Sequence, residues 1–142
     1  MPVKLSTTIH NIDTKVSNSY NKDVIFTFYQ YLKNIDTSEN YQNGVLKAII
    51  HFSEFFDSQE FDKISKKEEI LKFLDSKRRG KDEDPEQKWI TTWNDYLWRI
   101  KYFYRWFINY FKGQNENTDE WKTPEFVNIK KKKTKRLSPY SK

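Results

Sequence analysis

An all-α fold is what this sequence predicts, and three observations predict it. Apolar residues recur at spacings of three and four through most of the chain. Only three glycines and four prolines occur in 142 residues, too few for a turn-rich β fold. Ser, Thr or Asp precedes the periodic runs, where helix N-caps belong. The length suits one domain with tails, and eleven Phe, nine Tyr and five Trp mean that a few large side chains supply most of the core. The expected architecture is a compact bundle of four helices, or five if the segment after Gly113 packs, followed by an extended basic linker.

Residues 1–16 mix Ser, Thr and Asn with single apolar residues and are read as an N-terminal arm that could pack or stay loose. A first helix is expected from Ser19 to Asn34, with Val24, Ile25, Phe28, Tyr29 and Leu32 on one face and Ile35 continuing it. Thr37 or Ser38 caps a second, whose stripe of Val45, Leu46, Ile49, Ile50, Phe52 and Phe56 ends near Asp57. Ser65 and Glu68 form an expected capping box for a short third helix burying Ile70, Leu71 and Leu74 and ending near Lys77. Asp84 and Pro85 restart the pattern, and Gly113 stops it.

That fourth helix is the longest. Trp89, Ile90, Trp93, Leu97, Ile100, Tyr104, Phe107 and Phe111 share its apolar face. Trp98, Tyr102 and Trp106 fall off the stripe; they could pack on a fifth element, form an interface or contact a ligand. Residues 17–113 are thus the helical domain and 114–142 a linker, polar at first and then basic from Lys130 to Arg136. The ending at Ser138-Pro139-Tyr140-Ser141-Lys142 resembles a cut in a linker.

No cysteine is present, which removes disulfides, thiolate metal sites and thiol nucleophiles. There is no apolar run long enough to span a bilayer and no secretory signal, so the expected location is the cytoplasm and no membrane partner is expected. The net charge of +6 favours a polyanionic partner. His10 and His51 are the two histidines and stand far apart, so no metal or cofactor is expected and no catalytic residue is assigned. Acid pairs such as Glu68-Glu69 fit helix starts rather than acid–base chemistry.

A binding role has more material. Off the apolar face, the long helix carries Lys88, Asn94, Arg99, Lys101, Arg105 and Lys112, and the second helix carries Asn40, Asn43, Lys47 and His51 opposite its stripe. Asn can read adenine bidentately, and Lys holds phosphate or guanine. A solvated helix face is the plain alternative. Stacking of single-stranded bases on the Trp98–Phe107 rings is disfavoured at this level, because most of the rings are needed inside.

Phe28-Tyr29-Gln30-Tyr31-Leu32, then Asn43-Gly44-Val45-Leu46-Lys47 with Phe52-Ser53-Glu54-Phe55, and finally Trp98-Arg99-Ile100-Lys101 with Arg105-Trp106-Phe107 together resemble the SAM-like core-binding domain of phage-type and archaeal tyrosine recombinases (integrases). Trp121 to Phe126, the basic run and Leu137-Ser138-Pro139 resemble the linker into that family's catalytic domain. The resemblance implies half of a clamp on double-stranded DNA, used in DNA integration and recombination. It implies groove or phosphate contacts from Asn43, Lys47, His51, Lys88, Arg99, Lys101 and Arg105, to which the basic run adds Lys131, Lys132 and Lys133. It also implies other recombinase protomers as partners on DNA, the isolated domain being a monomer. No His-x-x-Arg occurs, so no tyrosine is assigned the family's nucleophilic role and this chain alone is not expected to be an enzyme. The competing expectation is a helical protein-interaction module with exposed aromatic anchors.

Overall fold

A computed structural model describes residues 4–113 and 117–133, and these form an all-helical bundle. Five α-helices run in order: α1 (Leu5–Lys15), α2 (Ser19–Asn34), α3 (Glu39–Phe55), α4 (Lys67–Asp75) and α5 (Trp89–Trp106). A π-helical segment, Phe107–Lys112, continues α5, and short 3-10 turns lie at Phe61–Lys63, Thr118–Glu120 and Glu125–Val127. No strand occurs among the described residues.

The first two expected helices are α2 and α3, and their caps follow from side-chain chemistry. Asn18 Oδ1 accepts from the backbone N–H groups of Tyr20 and Asn21, and Ser38 Oγ accepts from that of Tyr41. The capping box falls one residue later than expected: Glu69, not Glu68, reaches back to the N–H groups of Ser65 and Lys66. The helix expected from Pro85 starts at Trp89, because Gln87 takes a left-handed φ of 56° that no helix can include. Asp84 still serves the start, its carboxylate accepting from the N–H groups of Lys88 and Trp89.

Two segments whose packing the sequence leaves open are packed. The arm is helix α1, which lays Thr8, Ile12 and Val16 against the bundle and packs chiefly on α3. Part of the segment after Gly113 also packs on the core. Trp121, Val127 and Ile129 are buried, and the stretch from Trp121 to Lys132 forms a strap along α5.

Rings fill the centre. Phe28 meets Phe103 and Trp106 at centroid distances of 5.2 and 5.0 Å, and Phe52 meets Phe73 at 5.2 Å. Trp106, off the predicted stripe, is fully buried because α2 supplies Phe28 and Tyr31 on its side. Each such ring, fully removed from water, contributes about 1.5–3 kcal/mol. Phe61 reaches this cluster because buried Asn21 staples the loop before it. Asn21 Nδ2 donates to the carbonyls of Ser58 and Gln59, and its Oδ1 accepts from the Phe61 N–H.

Candidate nucleic-acid interface

α3 and α5 pack against each other. Gly44 provides the gap: a Cβ there would lie 3.2 Å from Nη2 of Arg99, so the guanidinium occupies the space a side chain would take. Arg99 Nε is buried and has no hydrogen-bond partner, and the guanidinium lies 5.5 Å from the Trp98 ring. Further along α3, His51 Nδ1 bonds the Tyr96 hydroxyl of α5 at 2.8 Å.

Around that pair gathers positive charge from four elements. Burial lowers the His51 pKa first, and Lys77 then lowers it further; Lys15 and Lys47 act in the same direction while Glu54 opposes them. Lys77, just beyond α4, sets its ammonium 4.4 Å from the Tyr96 ring and 4.9 Å from that of Phe73, and burial with Arg79 nearby lowers its own pKa. Tyr96 is raised by burial, with Arg99 pulling the other way. Among the described residues, no salt bridge neutralises Lys15, Lys47, Lys77 or Arg99. His51 and Lys47 are therefore brought together with Lys15 and Lys77, while Arg99, seated at Gly44, adjoins the group through Tyr96. The sequence reading missed Lys15 and Lys77, although a lysine in or just past the last turn of a helix is a signal in itself.

The remaining expected contact residues have other surroundings. Asn43 is half-buried under α1, where the Thr8 hydroxyl donates to its Oδ1, so it belongs to the packing between α1 and α3. Lys88 is exposed at the start of α5 and pairs with Glu86 at 3.7 Å, about 25 Å of helix away from Arg105. Arg105 donates from Nη2 to the Trp121 carbonyl, and so holds the strap.

The strap is clipped at both ends by carboxamides. Asn94 Nδ2 donates to the Lys132 carbonyl and Asn94 Oδ1 accepts from the Lys132 N–H, each at 2.8 Å. Asn109 does the same for Lys122, at 2.8 and 3.2 Å. Lys132 thus lies against α5 with its ammonium 4.8 Å from the Trp93 ring, whereas Lys131 and Lys133 are exposed. Lys101 and Lys131 line opposite walls of a groove between α5 and the strap. The rest of the basic run, from Thr134 onward, lies outside the described residues.

Among the described residues, no set of three or more His, Cys, Asp or Glu side chains could hold a metal ion. None of the helices described is long and apolar enough to cross a membrane. No family model, curated protein or solved structure matches the chain.

Proposed function

We propose that this chain binds duplex DNA across the α3–α5 face, as the core-binding half of a site-specific tyrosine recombinase or integrase. The observation that carries the reading is the meeting of Lys15, Lys47, Lys77 and Arg99 around His51 and Tyr96, without salt-bridge partners among the described residues. Cations contributed by separate helices near one His–Tyr pair suit phosphate contacts that position a duplex. Arg99, seated over Gly44, is the residue for a bidentate contact to phosphate or guanine. On this reading the chain acts in the cytoplasm, on DNA and beside other recombinase protomers, and does not cleave strands by itself.

The test is fluorescence anisotropy with a duplex of roughly 20 bp over a salt series. Replacing Lys15, Lys47 and Lys77 together by Ala in the full chain should weaken binding. It should also flatten the slope of log affinity against log salt by roughly 2 to 3, close to 0.9 for each phosphate that the variant no longer neutralises. Circular dichroism checks that the variant folds. An unchanged slope in a folded variant removes this face as the DNA reader and leaves the protein-interaction module as the better account. A chain ending at Lys133 separates the folded surface from the residues beyond it.

A further inference from the structure

The groove between α5 and the strap is a second, differently built surface. It encloses about 840 Å³, within the usual range for a small-ligand cleft. Leu97 and Ile129 are among the residues that line it, and the Asn94–Lys132 clip fixes the distance between its walls. It is therefore formed in advance of any ligand.

Three features of its lining point to one chemistry. Trp98 is 39% exposed, a large ring left open to solvent, and Tyr41 and Arg99 hold it in place at 5.8 and 5.5 Å. Lys101, Lys130 and Lys131 oppose the single carboxylate of Asp95, and among the described residues none of these four is in a salt bridge. Asn128 adds an exposed carboxamide, so a donor and acceptors are available beside the ring. A fixed ring for stacking, cations for phosphate and amide and carboxylate groups for a base edge form the set that unpaired nucleotides require. A base inside a duplex has its faces stacked on its neighbours and cannot use the Trp98 ring.

We propose that this groove binds an unpaired nucleotide of a single-stranded nucleic acid, with its base on Trp98 and its phosphates on Lys101, Lys130 and Lys131. Lys15, Lys47, His51 and Lys77 are not among the groove's lining, although Arg99 borders both surfaces, and the site stands whether or not the other face binds duplex.

The experiment is a proton–nitrogen correlation NMR titration of the full chain with a thymidine homopolymer of about ten nucleotides, alongside an abasic oligomer of equal length. The thymidine oligomer should shift the Trp98 indole N–H, the Asn128 side chain and the Lys130 and Lys131 amides. Trp98→Ala should weaken binding about tenfold, Trp98→Phe should restore most of it, and the abasic oligomer should bind about tenfold more weakly. The Lys15/Lys47/Lys77 variant should bind the thymidine oligomer as the parent does, which keeps the failure of the duplex reading distinct from failure here. Equal binding of the abasic oligomer, unchanged binding by a folded Trp98→Ala chain, or loss in the lysine variant would each overturn the proposal.

Discussion

Replacing Trp121 by Ala tests whether the strap belongs to the cooperative unit of the fold. Trp121 is 8% exposed and lies 5.9 Å from the Tyr31 ring and 6.1 Å from that of Tyr110, between α2 and the π-helical segment. Removing a ring so placed costs the transfer energy of its atoms and leaves a cavity, about 3–5 kcal/mol for a fully buried Trp. Because Trp121 sits at the rim, where neighbours and water can relax into the space, the lower end of about 3 kcal/mol applies. The Arg105 bond to its backbone carbonyl does not depend on the side chain and should survive. For a domain of this length, about 3 kcal/mol lowers Tm by roughly 10 °C. Urea denaturation followed by far-UV circular dichroism should show a lower midpoint with the same slope, since the surface exposed on unfolding changes little. Ending the chain at Gly113 should be far worse, because Val127 and Ile129 leave with Trp121 and the total approaches the whole stability of an ordinary domain. A loss below about 1 kcal/mol for Trp121→Ala, or a cooperative transition of normal midpoint for the chain ending at Gly113, would refute the reasoning.

Gly44→Ala should raise stability by about 0.5–1 kcal/mol through helix propensity, because its Cβ meets only the movable end of Arg99; the same change should weaken duplex binding, and denaturation with anisotropy on one sample checks both. Burial pushes the Asp62 carboxyl up, but hydrogen bonds from Lys112 at 2.5 Å and Tyr20 at 2.8 Å outweigh it, so its folded pKa lies below the unfolded one. Its contribution is thus present above about pH 4 and lost as pH falls through the folded value; Asp62→Asn should flatten stability against pH in that acid window by no more than about 1 kcal/mol. Asn94→Leu removes both bonds to Lys132, and hydrogen exchange should show the Lys132 amide losing protection while the amides of α2 keep theirs.

The parts of this fold that were legible in the sequence are those with local causes. The apolar spacing in Val24, Ile25, Phe28 and Leu32 located α2, and Ser38 marked the start of α3, because a cap and a stripe act within a turn or two. Helix α1 was readable in principle from Leu5, Ile9, Ile12 and Val16, spaced by four, three and four, but the intervening Ser, Thr and Asn and the absence of a capping side chain diluted the signal. The strap has no period at all: its backbone groups are met by Asn94 and Asn109, 38 and 13 residues away, and nothing in the sequence between them signals such a pairing. The candidate site divides the same way. Lys47, His51 and Arg99 stood out on helical faces, whereas Lys15 and Lys77 joined them only through tertiary packing, and Arg105 and Asn43 were drawn into the structure by segments whose packing the sequence left open.

The π-helical segment also sets the phase of this end of the bundle. A π turn closes its hydrogen bonds from i to i+5 and so carries one residue more than an α turn. Within Phe107–Lys112, that added residue sets the angular position of Asn109, which grips Lys122, and of Lys112, which reaches Asp62. Forcing this segment into α geometry at unchanged length would swing everything beyond it by about 100° around the axis, carrying Lys112 off its partner. The closure of this end of the bundle, Asn109 on Lys122 and Lys112 on Asp62, therefore depends on the π register being kept.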